Sequence, residues 1–272
     1  MALVASRPFL DVDRPAIGVL RVCINNPAKR NAISRTTMRH LAELLKAAEA
    51  QDDVLVFLIS SKVPGVFSSG ADISADITDP GDGFDELVRA LVSFPKVLAI
   101  AVNGLAVGVA VTILGHADLA WCTEGARFTT PFGRLALAPE ASSSLVFPAR
   151  LGRPLATEVL LTGRPLTAGD ALRCGLVASV LENEAALEAE ALACAARIAS
   201  LHAARRTVTV FKRLFNAPVS AAMLGAHDGE LRELRSRFAD GEPFEAAARY
   251  FEERSRAVRA PGARPEEPAP RL

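Results

Sequence analysis

Three short stretches of this chain carry residue types that could act together on a carbonyl compound. The apolar run Val97–Val102 leads into Asn-Gly, and a second glycine, Gly108, precedes another apolar run. An earlier apolar run, Val54–Ser60, leads to Phe67–Asp72, which also contains a glycine. A turn between a strand and a helix leaves backbone N–H groups free, and two such turns could hold one carbonyl oxygen. Downstream, Glu140 offers a carboxylate that could move a proton beside that oxygen.

Alternating strand-like and helix-like segments position these stretches. The strand-like segments are short apolar runs bounded by turn residues, whereas the helix-like segments repeat apolar residues at intervals of three and four. Ser34 precedes one such helix and is expected to cap it. Strands are predicted at Ile17–Ile24, Val54–Ser60, Val97–Val102, Asp118–Cys122 and Leu176–Leu181, and helices at Phe84–Phe94, Val109–Gly115, Ser142–Arg150 and Pro154–Leu161.

The second part of the chain is mainly helical. Thr167–Asp170 has the pattern of a capping box, with Asp in the place of Glu. Strands that alternate with helices and are followed by helices alone indicate an α/β core with a helical C-terminal region. The later helices are predicted at Glu184–Leu201, Ala203–Phe215, Ser220–Asp240 and Pro243–Val258.

Composition excludes several classes of function. The 272 residues are 50% hydrophobic and carry a formal net charge of zero, so a large core is expected and nucleic-acid binding is not. No apolar run reaches the roughly 18 residues of a membrane span, and no signal peptide is evident, so a cytoplasmic protein is expected. The C-terminal Pro-Arg-Leu only loosely resembles a peroxisomal signal. Buried, reduced thiols and no metal site are expected, because no metal-binding spacing joins Cys23, Cys122, Cys174 and Cys194.

Two of the stretches resemble a known superfamily. Phe67–Ile73 resembles the first oxyanion loop of the crotonase, or enoyl-CoA hydratase/isomerase, superfamily, and Ala101–Gly108 resembles the second. The resemblance extends from about Phe9 to about Val258. It implies a (ββα) spiral core at 1–200 and a helical region at 201–260 that forms a homotrimer or a dimer of trimers. It also implies an acyl-CoA thioester as substrate and no cofactor besides the CoA of that substrate. The tail at 261–272 is rich in Pro, Ala, Glu and Arg and is expected to be disordered.

The resemblance assigns roles to individual residues. The backbone N–H groups of Ala71 and Val109 would bind the thioester carbonyl oxygen and stabilise the enolate that forms when a neighbouring proton is lost. Lys29 and Arg30 match the family's loop that meets the CoA phosphates. The other residues expected to contact substrate or CoA are Ser69, Gly70, Asp72, Ile73, Gly108, Phe132 and Arg254.

Glu140 points to one branch of the superfamily. The hydratases carry two glutamates, and the matching positions here are Thr112 and Phe132, which cannot transfer protons at neutral pH. The stretch around Pro139–Ser144 is similar to that of peroxisomal-type Δ3,Δ2-enoyl-CoA isomerases, in which one glutamate is the base. Moving a double bond needs one base, and apolar surroundings would raise its pKa toward neutrality. The serines after Glu140 are expected to cap the next helix and not to act as nucleophiles.

Other interpretations remain open. Glu140 could be a first-turn helix acid stabilised by the macrodipole, and Asp72 could cap a turn. Lys29, Arg30 and Arg254 could simply face water. For the whole chain, an isomerase is ranked first and a hydratase second. A non-catalytic acyl-CoA-binding protein is the third possibility, although an intact Glu140 argues against it.

Overall fold

The computed structural model describes residues 5–72 and 82–259, with the backbone alone described at 82, 251 and 253–259. Strands in this part of the chain form one six-stranded and one four-stranded sheet. The strands are β1 (Leu10–Asp13), β2 (Val19–Ile24), β3 (Val56–Ser61), β4 (Val66–Ser68), β5 (Val97–Val102), β6 (Leu105–Val107), β7 (Leu119–Thr123), β8 (Arg127–Thr129), β9 (Leu166–Thr167) and β10 (Ser179–Leu181).

The sheet order reveals a repeated unit. The larger sheet has the order β1-β2-β3-β5-β7-β10 and the smaller one β4-β6-β8-β9. Each of β3, β5 and β7 is followed by a short strand of the smaller sheet, so the chain spirals between the two sheets. Neighbours are parallel except at β1/β2 and β8/β9. The predicted α/β spiral core is confirmed.

Helices cover the sheets and dominate the C-terminal part, as predicted. Ser34 caps the first helix by accepting a hydrogen bond from the Thr37 N–H at 3.2 Å, and both halves of the capping box between Thr167 and Asp170 are present. The helices are α1 (Arg35–Glu49), α2 (Asp82–Ser93), α3 (Val109–Thr112), α4 (Ser143–Leu151), α5 (Arg153–Thr157), α6 (Ala168–Arg173), α7 (Glu184–Ala199), α8 (Ala204–Asn216), α9 (Ser220–Ala239) and α10 (Glu242–Arg259).

Several boundaries differ from the predicted ones. The strand predicted at Leu176–Leu181 begins only at Ser179, because the N–H groups of Leu176 and Val177 bond to the Ala171 carbonyl and close the end of α6. The helix predicted at Val109–Gly115 is α-helical only to Thr112 and continues as a 3-10 turn. A π-helical turn likewise follows α5.

Other expectations meet the structure only in part. Cys23 and Cys122 are buried as predicted, whereas Cys174 and Cys194 are half-buried. The tail at 261–272 lies outside the described residues. None of the described helices is both long enough and apolar enough to cross a bilayer. The division at 200/201 stays a prediction.

The loop after β3 lies directly against the start of β6. The Leu105 N–H donates to the Gly65 carbonyl at 3.0 Å, and Asn103 Nδ2 donates to the Val63 carbonyl at 2.9 Å. A Cβ added at Gly104 would lie 2.0 Å from the Gly65 oxygen. Only glycine fits this contact, which therefore fixes where β6 and the turn after it begin.

We expect Gly104→Ala to lower the free energy of unfolding by about 3 kcal/mol, the upper end of the usual cost of overpacking, because backbone atoms must move. Denaturant titration measures this change. Gly125→Ala is the matched control, since no atom lies within 4 Å of its added Cβ, and it should shift the unfolding midpoint much less. Equal losses in the two variants would contradict this account of Gly104.

Candidate active site

The two glycine-containing turns lie side by side. β4 pairs with β6 in parallel, with Ser68 opposite Ala106. Ala71 and Val109 each follow this pair by three residues, so the register brings their backbones to the same end of the smaller sheet. The structure thus brings together the two positions that the sequence predicted as oxyanion donors.

Backbone contacts lock the first turn. The Ile33 N–H donates to the Gly70 carbonyl at 2.8 Å, and the Asp72 N–H donates to the Ile33 carbonyl at 3.0 Å. Since the residues on both sides of Ala71 pair with Ile33, the Ala71 N–H points away from that partner. Gly70 has φ +95°, and an added Cβ would lie 2.9 Å from the Val107 oxygen, so the two turns touch backbone to backbone.

The second turn presents the Val109 N–H. The Gly108 N–H donates to the Thr129 carbonyl at 2.8 Å and holds the turn against β8. Val109 is the first residue of α3, so its N–H belongs to the donors that a helix leaves without an internal acceptor. Among the described residues, no backbone carbonyl accepts a hydrogen bond from the N–H of Ala71 or of Val109. Two donors therefore remain for a bound carbonyl oxygen.

Glu140 lies in the turn that leads into α4. Its N–H donates to Ser143 Oγ at 3.2 Å, and its carbonyl accepts from the Ser143 N–H at 3.1 Å. The next two residues, Ala141 and Ser142, adopt left-handed conformations with φ of 55° and 60°. Such conformations are costly for residues other than glycine, so the surrounding contacts must hold this turn in place.

The environment of Glu140 keeps its carboxyl group neutral near physiological pH. Burial of the carboxyl, with the charge of Glu230 as the second cause, raises its pKa to about 8. Phe132 and Val109 belong to one buried apolar cluster, against which Leu137 packs. A helix macrodipole would lower this pKa, so the shift favours a general base over a first-turn helix acid.

Glu230, which sequence reasoning missed, holds the start of α4. Its two carboxylate oxygens accept hydrogen bonds from the Ser142 N–H at 2.7 Å and the Ser144 N–H at 2.8 Å. The prediction that serine side chains cap this helix is wrong, because Ser142 Oγ donates to the Met223 carbonyl instead. A signal was present, since buried positions at helical spacing on α9 include two polar residues, His227 and Glu230.

His116 supports the same turn from the other side. Its Nε2 lies 2.8 Å from the Ala141 carbonyl, which makes Nε2 the protonated nitrogen. Burial lowers the pKa of His116 to about 4, so the ring is neutral at physiological pH. The contact gives His116 a structural role in this turn. Asp118 pairs with Lys212 and accepts a hydrogen bond from the Leu98 N–H.

The two positions that carry glutamates in hydratases hold no acid. Thr112 is buried, and its hydroxyl donates to the Val109 carbonyl at 3.3 Å within its own helix. Phe132 is buried in the apolar cluster. Since neither of these two positions carries an acid, we assign proton transfer to Glu140.

The predicted CoA-contacting loops also come together. Lys29 Nζ lies 2.8 Å from Asp72 Oδ2, and the Ser69 N–H donates to the Arg30 carbonyl at 3.0 Å. The loop at Lys29 and Arg30 and the turn at Ser69 to Asp72 therefore meet beside Ala71. The Lys29 side chain is about half exposed. Ile73 lies outside the described residues, and at Arg254 only the backbone, in α10, is described.

Asn31 organises this loop and was missed by sequence reasoning. Its side-chain amide donates to the Phe67 carbonyl at 3.0 Å and to Ser61 Oγ at 2.8 Å, while its oxygen accepts from the Asn26 N–H. The residue is fully buried and has φ of 57°, which asparagine tolerates better than most residues.

No group of three or more possible metal ligands occurs among the described residues.

Comparison with known proteins agrees with this geometry. A model of the family described as "Enoyl-CoA hydratase/isomerase" matches residues 15–258. Enoyl-CoA delta isomerase 2 of Homo sapiens is 35% identical over 177 residues, which are 61% of this chain and 44% of that protein. The peroxisomal enoyl-CoA delta isomerase 3 of Mus musculus is 37% identical over 173 residues, 60% of this chain and 54% of that protein.

A solved structure shows the same fold. The enoyl-CoA hydratase/isomerase from Pseudoalteromonas atlantica has a TM-score of 0.84 and 32% identity, covering 90% of this chain and 97% of that one. The matched chain spans about half the length of the two isomerases. The resemblance to the crotonase superfamily, near its enoyl-CoA isomerases, is confirmed.

The raised pKa of Glu140 predicts a pH-dependent stability. Its carboxyl group has an ordinary pKa of 4.5 and a folded pKa of about 8, so the folded state binds the proton more tightly between these values. The stability that comes from the neutral carboxyl is present below about pH 4.5 and is lost as the pH rises through about 8.

We therefore expect Glu140→Gln, which stays neutral, to gain stability over the wild type between pH 5 and pH 9. The gain should be on the order of 3 kcal/mol, because one pKa unit corresponds to about 1.4 kcal/mol. Urea unfolding of both proteins at the two pH values measures it. Glu233→Gln, at an exposed position of α9, is the control, and a gain that does not depend on pH would contradict the assignment.

Proposed function

The chain belongs to the enoyl-CoA hydratase/isomerase family, and we propose that it is a Δ3,Δ2-enoyl-CoA isomerase that uses Glu140 as its single base. One observation carries the proposal. Glu140 has a pKa of about 8, and the segment before it packs through Phe132 in the same apolar cluster as Val109 of the second turn. We also propose that the substrate is an acyl-CoA thioester, that the protein forms a homotrimer or a dimer of trimers, and that it is located in the cytoplasm.

The proposed reaction moves one proton twice. The thioester carbonyl oxygen of a 3-enoyl-CoA accepts hydrogen bonds from the N–H groups of Ala71 and Val109. The Glu140 carboxylate removes a proton from C2, and the electron pair of that C–H bond delocalises into a dienolate. Negative charge collects on the thioester oxygen, where the two N–H groups stabilise it. Glu140 then returns the proton to C4, which leaves the double bond between C2 and C3.

The residues favour an isomerase over a hydratase. Hydration of a 2-enoyl-CoA requires a water molecule to be activated and a proton to be delivered, tasks that suit two carboxyl groups. Thr112 and Phe132 occupy the positions at which hydratases carry those groups. Both side chains are buried, and neither has a carboxyl group. Isomerisation needs one group that serves as base and then as acid, and a pKa near the working pH suits both steps.

The loop that contains Lys29 and Arg30 is proposed to receive the CoA phosphates. The Lys29 side chain is about half exposed and pairs with Asp72 beside the first turn. Because the Lys29 side chain is the more exposed partner of this ion pair, a phosphate group could share its ammonium group. Arg254 remains a proposed phosphate contact.

The first experiment offers the purified protein a 3-enoyl-CoA and, separately, a 2-enoyl-CoA, with Glu140→Gln alongside. We expect conversion of the 3-enoyl substrate and a loss of at least about 1,000-fold in kcat in the variant, because the base is gone. Hydration of the 2-enoyl substrate at a comparable rate would make the protein a hydratase. Binding of CoA esters without turnover of either substrate would favour an acyl-CoA-binding protein.

A second experiment removes one oxyanion donor without removing a side-chain acid. Val109 is the first residue of α3, a position where proline is well tolerated, and proline has no N–H. We expect Val109→Pro to lower kcat by about 100- to 1,000-fold, the usual effect of losing one such donor. Val109→Ala keeps the N–H and should lose less than about tenfold. Equal losses in the two folded variants would contradict the role of the Val109 N–H.

A further inference from the structure

Glu230 connects α9 to the turn that carries the proposed base. It is a buried residue with 6% of its surface exposed, and its carboxylate accepts hydrogen bonds from the Ser142 and Ser144 N–H groups at 2.7 and 2.8 Å. These serines follow Glu140 by two and four residues. Both oxygens of Glu230 are used as acceptors, which favours the ionised carboxylate.

The N-terminus of α4 is a favourable place for a carboxylate. The first N–H groups of a helix lack internal acceptors and form the positive end of its macrodipole, so an anion there is stabilised. α4 spans Ser143–Leu151, and Glu140 lies only three residues before it. A carboxylate that takes these N–H groups is stabilised as an anion and becomes a weaker base.

Glu230 takes this position in the structure, and Glu140 does not. The shift in the pKa of Glu140 has two causes, burial and the charge of Glu230, and neither is a hydrogen bond. Burial also raises the pKa of Glu230 above its ordinary value, but the hydrogen bonds from Ser142 and Ser144 stabilise its anion and oppose that shift. The two buried carboxyl groups thus have different environments, one bonded to a helix end and the other not.

We propose that Glu230 is a positioning residue, which caps the helix after Glu140 with its carboxylate and so leaves Glu140 as the free base. The inference rests on the proposed isomerase function. Glu230 acts in two ways. It neutralises the helix end that would otherwise stabilise the Glu140 anion, and its negative charge makes ionisation of Glu140 less favourable.

The same contacts fix where Glu140 points. Ala141 and Ser142 are left-handed, and contacts from two elements hold this conformation. His116 bonds to the Ala141 carbonyl, while α9 contributes both Glu230 and the Met223 carbonyl, which accepts from Ser142 Oγ. Displacement of a catalytic group by about 1 Å can cost two orders of magnitude in rate. Loss of Glu230 should therefore affect the position of the base as well as its basicity.

Several other charged and titratable groups in the elements packed around this turn have partners elsewhere. His227 on α9 contacts Asp85 on α2 at 3.1 Å, and burial lowers its pKa. Arg150 on α4 donates to the carbonyls of Leu114 and Ala117. Arg89 on α2 pairs with Asp85 and with Asp228 of α9. His116 is neutral.

The test compares Glu230→Gln with Glu233→Gln, an exposed position one turn along α9. Two readouts are used: the pH dependence of kcat/KM with a 3-enoyl-CoA, and the titration of the Glu140 carboxyl by ¹³C NMR of glutamate-labelled protein. Glu140→Gln identifies the resonance. In Glu230→Gln the midpoint of the Glu140 titration should fall by about one pH unit, and kcat should fall roughly tenfold with KM changed less than about threefold. Glu233→Gln should match the wild type.

An unchanged Glu140 midpoint in folded Glu230→Gln, or the same shift in both variants, would overturn the inference. Because the carboxyl titration needs no turnover, it decides the question even if the protein fails to isomerise a 3-enoyl-CoA. If the wild type isomerises and the midpoint does not move, only the role of Glu230 fails.

A measurement on the wild type covers the case in which Glu230→Gln does not fold. The amide proton of Ser144 should shift as Glu230 ionises, and this shift should occur at a lower pH than the Glu140 midpoint. A Ser144 amide that responds only at or above that midpoint would overturn the inference, because Glu230 would then be neutral when the base ionises.

Discussion

The pairing of β4 with β6 is the constraint on which the site depends. Two backbone N–H groups can face one oxygen only if their turns lie at neighbouring strand ends in a fixed register, and the Ser68–Ala106 pair sets that register. Gly70 then allows the turns to touch, and the contact of Gly104 with the Gly65 carbonyl fixes where β6 begins. The larger sheet and its helices hold the two short strands in place.

Where contacts are local, the sequence was enough to predict them. The Ser34 cap and the capping box at Thr167 each involve residues a few positions apart, and so their residue types carry the signal. The strand that begins late at Ser179 shows the limit of this reasoning. An apolar run indicates burial, but it does not say whether its N–H groups pair with a strand or, as at Leu176, close a helix.

The contacts that hold Glu140 could not be predicted in this way. Glu230 meets the Ser142 N–H across 88 residues, and His116 meets the Ala141 carbonyl across 25. Glu140 itself was predicted from its motif, whereas its raised pKa depends on burial and on a charge from another helix. A buried glutamate among the apolar positions of α9 was the one visible sign that this helix contributes more than packing.

The oxyanion donors of the proposed site belong to the backbone, which has a consequence for its evolution. Any residue except proline supplies an N–H group, so a change of side chain at 71 or 109 leaves the donor itself in place. Val109 is a buried, branched residue that follows a glycine of positive φ, and its backbone N–H is the proposed donor. Two of the three groups that are proposed to act on the substrate are therefore specified by the conformation of the backbone rather than by the identity of a side chain. A scan that replaces side chains with alanine would detect Glu140 and overlook the other two.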